Sequence, residues 1–301
     1  MIAVANRAYL QRFPDSRAGT CPAVAPKSLA ERLADMVVSA LIDEVTLTPK
    51  PGLVDMRSRG AHRDLSWGLM CESAWVLHPT FYAMALAGLT VTDAMDLREE
   101  VGRIGREGEA QMMKATGGVN THRGAIWALG LLVTAAAQDT DALTARSVAV
   151  RAATLARSHD RFSPVVTGNK GERACQTYGV GGARAQAQAG FPHVVNIALP
   201  CLTSCRTRGD SETAARLNAL LAVIAELDDT CVLSRGGVDA LHAVQTGAQQ
   251  VLAQGGAGSV EGRGALQQLE DELLARHVSP GGAADLLAAT LFLDQLAKEF
   301  S

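Results

Sequence analysis

Apolar residues along this chain recur mostly at helical spacing. Leu29, Leu33, Met36, Val37, Ala40 and Leu41 form one stripe behind Ser28 and Glu31. Those two make an S-x-x-E capping box, in which each side chain satisfies an amide at a helix start. The pattern predicts a helix from Ser28 towards Thr46, stopped by "TPKPG". Further helical stretches are expected over 66–87, from Thr92 or Asp93 to Ala115, and over "RGAIWALGLLVTAAAQ" with Asn120 or Thr121 as cap. Others are expected over 141–157, 210–227, 238–253 and 264–276. Ser279, with Pro280 in the first turn, is expected to cap a last helix. Period-2 alternation is scarce, and "HVVNIAL" is the best strand candidate. The predicted fold is all-α: one globular bundle of roughly ten helices, preceded by a loose arm over 1–27. Residues 253–264 read as a flexible loop.

Composition narrows the chemistry. The 301 residues are 48% hydrophobic but only 4% aromatic, so the core must be aliphatic and alanine-rich, allowing close helix packing. Nothing in a net charge of -3 suggests nucleic acid or an anionic membrane as a partner. No apolar run is long enough to span a bilayer. The N-terminal stretch, interrupted by Arg7 and Arg12, lacks a signal-peptide core, so a cytoplasmic location is expected. The six cysteines are scattered without zinc spacing and read as reduced thiols.

Polar chemistry gathers in five segments between helices. "KPGLVDMRSRGAHRD" holds Lys50 between two prolines, followed by Asp55, His62 and Asp64. Proline fixes φ and restricts the residue before it, so the lysine sits on a stiff loop. "GGVNTHRGA" offers Asn120, His122 and Arg123 at a helix start, where free amides and the helix dipole favour phosphate. "GNKGERACQTYGVGGARAQAQAGFP" carries Lys170, Glu172, Tyr178 and Arg184. "ELDDTCVLSRGG" carries Asp228, Asp229 and Arg235, and "SPGGAADLL" opens the last helix. Any one of these could be ordinary capping. Together they supply cations for phosphate and carboxylates for Mg²⁺, which prefers one or two carboxylates plus phosphate oxygens. Asp228 and Asp229 are the metal candidates, although neighbouring side chains diverge and only one need ligate. The residues thus suggest a helical enzyme acting with Mg²⁺ on a phosphorylated, nucleotide-like substrate.

These five segments, in this order, resemble the triphosphoribosyl-dephospho-CoA synthase family, over about Ser28 to the C-terminus. The resemblance implies transfer of the triphosphoribosyl group of ATP to the 2′-hydroxyl of 3′-dephospho-CoA, with release of adenine. The product is the prosthetic-group precursor for an acyl carrier protein subunit, with the malonate decarboxylase branch favoured over citrate lyase. It implies phosphate contacts from Lys50, Asn120, His122, Arg123, Lys170, Arg184 and Arg235. Tyr178 would meet a base and His62 would assist the leaving group or touch phosphate. Among general bases Glu172 ranks first, then Asp64 and Asp55; Asp55 is also a metal candidate. Three departures stand out: Ala185 and Gln186 where the family pattern has Gly-Glu, Cys231 where Asn is frequent, and Arg123 in place of Lys. Gln186 is therefore left out of the site. A homodimer is compatible with the sequence. Two other function classes remain open: a Mg²⁺-dependent N-glycosidic hydrolase of the ADP-ribosyl hydrolase type, suggested by "DDT", and a non-catalytic nucleotide-binding scaffold.

Overall fold

A computed structural model describes residues 27–300 apart from position 165. The expected arm lies almost wholly outside the described residues; only Lys27 falls within them, paired with Asp35 at 2.5 Å. The described chain is all-α and contains no strand. Helix α1 (Leu29–Thr46) begins as expected, with Ser28 and Glu31 closing the capping box. It packs on α3 (His78–Thr90), α5 (Arg123–Gln138) and α13 (Gly281–Glu299). Helices α5 and α13 are buried along most of their length and form the centre of the core. Small residues allow the close approach. A Cβ on Gly88 of α3 would overlap the Thr134 carbonyl of α5, and one on Gly130 would meet Met84.

Several boundaries differ from expectation, each for a local reason. The stretch 66–87 is two helices, α2 (Trp67–Val76) and α3, which meet at Leu77 just before Pro79. Helix α4 (Ala94–Ala115) starts from an Asp93 cap as expected, and α6 (Ala145–Arg157) starts from Thr144. The region 158–209 is also helical, in short pieces: α7 (Lys170–Tyr178), α8 (Gly182–Gln188) and α9 (Leu199–Thr207). "HVVNIAL" is not a strand. His193–Ala198 forms a π-helical segment that runs directly into α9. A short apolar run cannot by its period distinguish strand from buried helix, and here Val194 and Ala198 are its buried positions.

The C-terminal third comprises α10 (Glu212–Glu226), α11 (Thr230–Ala253) and α12 (Val260–Ala275), packed in sequence. Helix α11 carries a break at Gly237, whose φ of 68° and ψ of -165° are not helical, so its second part starts where the helix over 238–253 is expected and a further helical part precedes it from Thr230. Helix α12 takes up part of the expected 253–264 loop. The described cysteines are free thiols.

Candidate active site

The loop after α1 is not an exposed helix stop. Residues 50–55 are buried, with Lys50 only 1% exposed. Asp55 holds the loop from within. It accepts the amides of Lys50 (3.1 Å), Arg57 (2.7 Å) and Ser58 (3.0 Å), and the Arg57 guanidinium at 3.0 Å. Gly52 donates its amide to Glu270 on α12 at 2.8 Å. At φ 67° it lies against the Val278 carbonyl and Leu273, leaving no room for a Cβ. Beneath, Val45, Val54 and Leu65 form a small apolar cluster of their own. The Lys50 ammonium points inward and pairs with Glu44, on the last turns of α1.

Four helix starts gather around this pair. Asp229, the N-cap of α11, accepts the Cys231 amide at 2.7 Å and the Ala283 amide of α13 at 3.0 Å. It thereby ties two helix N-termini together, and Gly282 leaves the space its carboxylate needs. Asp285, one turn into α13, lies against Gly124 in the first turn of α5, where a Cβ would overlap its carboxylate. The start of α7 approaches α11, since a Cβ on Gly171 would lie 3.7 Å from the Thr230 hydroxyl. Helix N-termini present free amides and partial positive charge, and this field stabilises carboxylates that the interior otherwise disfavours.

Proton affinities on this floor are shifted. Burial pushes Glu44 upward, opposed by Lys50. Burial also raises Asp229, opposed by the amides of Ala283, Cys231, Val232 and Gly282. Asp285 is raised well above the usual carboxylate range by burial and then by the charges of Glu44 and Asp229. It is half-buried and makes no side-chain hydrogen bond among the described residues. His122, 2% exposed, is lowered to about 4 by burial and by Lys50. Its Nδ1 meets the Ser73 hydroxyl at 2.8 Å, while Nε2 has no partner. His122 is therefore a neutral ring rather than a cation for phosphate.

The rim is more exposed. His62 Nε2 lies 3.0 Å from the Ser279 hydroxyl and Nδ1 lies 3.3 Å from Arg235. Arginine can only donate, so Nδ1 accepts and Nε2–H donates to Ser279. Burial, Arg235 and Lys170 lower His62 to about 4, which keeps it neutral. Ser279 is thus not the expected cap of α13. Pro280 occupies that position without a side-chain bond, and Asp229 meets the helix amide instead. Tyr178 leans towards the Gly237 kink, its hydroxyl 3.5 Å from where a Cβ would stand. The side chains of Lys170 and Asp228 are exposed and make no ion pair or hydrogen bond among the described residues.

The sequence candidates thus separate into groups. Lys50, His62, His122, Asp229 and Arg235 belong to the floor or its rim. Arg123 is held away by Glu109, with which it pairs, and Asn120 accepts the Arg123 amide at 3.1 Å. Glu172 is turned back on its own loop. It accepts the Thr167 amide at 2.8 Å, the Thr167 hydroxyl at 2.5 Å and the Gly168 amide at 2.7 Å, bonds that lower its proton affinity. Asp64 is exposed, 3.9 Å from His62. The carboxylates of Asp228 and Asp229 diverge, one exposed and one buried. Among the described residues, no three His, Cys, Asp or Glu side chains are grouped to hold a metal.

Sequence reasoning missed Glu44, Ser73, Glu270 and Asp285. Glu44 carried a readable signal: it continues the Leu33, Val37, Ala40 spacing and puts a carboxylate where the stripe calls for an apolar residue. Asp285 likewise interrupts the apolar run of α13. Of the departures, Gln186 bonds His193 at 3.1 Å, and Cys231 sits against Gly281 with its thiol pushed up by burial.

The chain resembles known proteins along most of its length. The profile of the CitG family, ATP:dephospho-CoA triphosphoribosyl transferase, matches residues 30–301. A probable 2-(5''-triphosphoribosyl)-3'-dephosphocoenzyme-A synthase of Azotobacter vinelandii is 56% identical over 270 residues, covering 89% of this chain and 92% of the relative. The 2-(5''-triphosphoribosyl)-3'-dephosphocoenzyme-A synthase of Klebsiella pneumoniae is 56% identical over 265 residues, covering 88% and 94%. A probable synthase of the same name from Pseudomonas savastanoi pv. phaseolicola is 57% identical over 270 residues, covering 89% and 92%. No solved structure matches the chain. With a family profile spanning nearly all the described residues and relatives of this identity, the chain belongs to the ATP:dephospho-CoA triphosphoribosyl transferases.

Proposed function

We propose that this enzyme joins the triphosphoribosyl group of ATP to the 2′-hydroxyl of 3′-dephospho-CoA and releases adenine. The product would serve as prosthetic-group precursor for the acyl carrier protein of a malonate decarboxylase, or of citrate lyase. The observation that carries the reading is the floor itself: a buried ammonium and an unpaired carboxylate where four helix N-termini meet. Amides, Lys50, Arg235 and Lys170 supply positive potential for a triphosphate. Reaction at the anomeric carbon then needs an acceptor for the hydroxyl proton.

The carboxylates divide these tasks by what already occupies them. Asp55 is committed to the loop and Glu172 to Thr167 and Gly168. Asp285 has both oxygens free and is our choice for accepting the 2′-hydroxyl proton. Neutral His62 can offer its Nε2–H as a hydrogen bond to departing adenine, which takes its proton from water, while Arg235 holds the ring at Nδ1. The Lys50 loop, fixed by two prolines and Asp55, keeps the phosphates from drifting off the reacting geometry.

Mg²⁺ fits as an ion that arrives with ATP. Asp228 is exposed and is the freer ligand, since Asp229 already faces the amides of Ala283, Cys231, Val232 and Gly282. With no preassembled cage, phosphate oxygens would complete the shell. Bound there, Mg²⁺ would neutralise charge on the triphosphate. Exposed side chains and a membrane-free helix set, in which no described helix is long and apolar enough to cross a bilayer, suit a cytoplasmic enzyme.

The test is adenine release from ATP and Mg²⁺, with and without dephospho-CoA. The proposal expects release only when the acceptor is present. Release indifferent to dephospho-CoA would make the protein an N-glycosidic hydrolase, and tight binding without release would make it a scaffold.

A further inference from the structure

A second polar corner lies where α4, α5, α8 and the loop after α6 meet. Arg98 of α4 is 7% exposed, yet its Nε has no hydrogen-bond partner. Its nearest anion, Asp160, is 3.5 Å away, and its guanidinium lies over the Trp127 ring at 5.4 Å from the centroid. Asp160 is already used: it takes Arg106 at 2.7 Å and the Phe162 amide at 2.9 Å. Gly102 makes room for that carboxylate between the two arginines of α4. Arg184 of α8 adds a third cation, its side chain exposed and without an ion pair or hydrogen bond among the described residues. Trp127 Nε1 donates to the Ala183 carbonyl at 3.2 Å, which fixes the indole beside Arg184.

Two guanidiniums, of Arg98 and Arg106, therefore share one buried carboxylate, and the charge of Arg184 bears on Arg98 without a carboxylate of its own. Burial lowers Arg98; Asp160 offsets this, while Arg106 and Arg184 lower it further. A buried guanidinium with unmade hydrogen bonds costs free energy unless an acceptor arrives. Diphosphate suits this gap: it carries several negative charges, and its oxygens can accept paired bonds from arginine forks. The corner also lies close to the floor. Trp127 follows Gly124, the residue against Asp285, by three positions, about 4.5 Å along the helix axis.

We propose that Arg98, Arg106 and Arg184, with the indole of Trp127, form a subsite for the diphosphate of a nucleotide substrate. The subsite is distinct from the Lys50 floor and adjoins it through the first turn of α5. The substrate's identity rests on the transferase reading; the anion chemistry does not. Two sources share that chemistry, the diphosphate of dephospho-CoA and the polyphosphate of ATP.

The chain has three tryptophans, so Trp67→Phe with Trp75→Phe leaves Trp127 as the sole indole. Inorganic pyrophosphate titrated into that protein should change Trp127 emission saturably. Arg184→Ala in the same background should weaken the titration roughly tenfold or more at an unchanged melting temperature, since Arg184 holds no part of the fold. Arg106→Ala should weaken it as well. In turnover, a KM rise for dephospho-CoA alone assigns the subsite to the acceptor, and a rise for ATP alone assigns it to the donor. Unchanged Trp127 emission, or an Arg184→Ala titration as tight as its parent, overturns the subsite and leaves an ion network that only ties α4 to its neighbours. Pyrophosphate binding at Trp127 without adenine release in the parent enzyme would sink the proposed reaction and keep the subsite.

Discussion

The floor and the 158–190 segment carry similar residue types in similar glycine-rich settings, yet the fold treats them oppositely. On the floor, Lys50, Glu44, Asp229 and His122 are nearly inaccessible and fixed by long core helices. In the segment, Lys170, Tyr178 and Arg184 project from short helices into solvent, and Glu172 bonds its own loop. Burial decides the difference. A charge removed from water has a large desolvation cost, so it must be matched by a partner or a helix start. An exposed charge carries no such cost, and its pairings contribute little to stability. Floor substitutions should therefore register in both folding and turnover, whereas substitutions in the segment should register in substrate affinity alone.

The sharpest break is at Lys50. Lys50→Ala leaves Glu44 buried without its counter-ion and should cost about 3–5 kcal/mol in urea unfolding, with loss of adenine release. Lys50→Met combined with Glu44→Leu should recover most of that stability without recovering activity. If the double variant turned over normally, the pair would be a structural strut and nothing more.

Asp285 separates folding from chemistry on the same floor. Asp285→Asn keeps the shape and removes a carboxylate that has no hydrogen bond and two like-charged neighbours. Its melting temperature should hold or rise, while dephospho-CoA-dependent adenine release should fall roughly a hundredfold or more. A variant with near-parental rates would remove Asp285 as the proton acceptor.

The same contrast sets what the sequence made legible. Helix α1, its capping box and the all-α class followed from periodicity, because those features are local. The five motifs were visible as polar interruptions, and all five reach the floor or its rim. Periodicity could not say which side of a loop faces inward. Lys50 was legible as a lysine on a stiff loop but not as half of a buried pair, because its partner, Glu44, stood hidden within an apolar stripe. Glu172 looked like a free base because its bonds to Thr167 and Gly168 depend on a local turn. Ser279 looked like a cap because the residue that replaces it, Asp229, comes from another helix. For Lys50 and Ser279 the deciding partner lay outside the motif, and for Glu172 it lay at the motif's own edge, in Thr167 and Gly168.

Acidification should expose the floor more gently. His122 stands at about 4 in the folded protein against 6.5 when unfolded. Between those values the unfolded chain binds more protons, so stability falls as pH drops from about 6.5 to about 4. At about 1.4 kcal/mol per unit, His122 alone would account for roughly 3 kcal/mol by the lower end. His62, also at about 4, adds a loss of the same sign. His122→Asn can keep a bond to Ser73 without a titrating ring, and should flatten the slope of unfolding free energy between pH 7 and pH 5. An unchanged slope would place the acid-labile group elsewhere.

The smallest effect is expected at Glu172. Its carboxylate accepts three bonds at the entrance to α7 and is held below the usual range by them. A base so stabilised as an anion is a weak proton acceptor, and one turned towards Thr167 is not aimed at the floor. Glu172→Gln keeps the side-chain length and one acceptor oxygen for the loop. It should shift the melting temperature only slightly and leave kcat for adenine release within about threefold. Loss of turnover in Glu172→Gln together with normal turnover in Asp285→Asn would invert the assignment, moving the proton acceptor from the buried floor to the exposed segment and making the floor an anchor for phosphate alone.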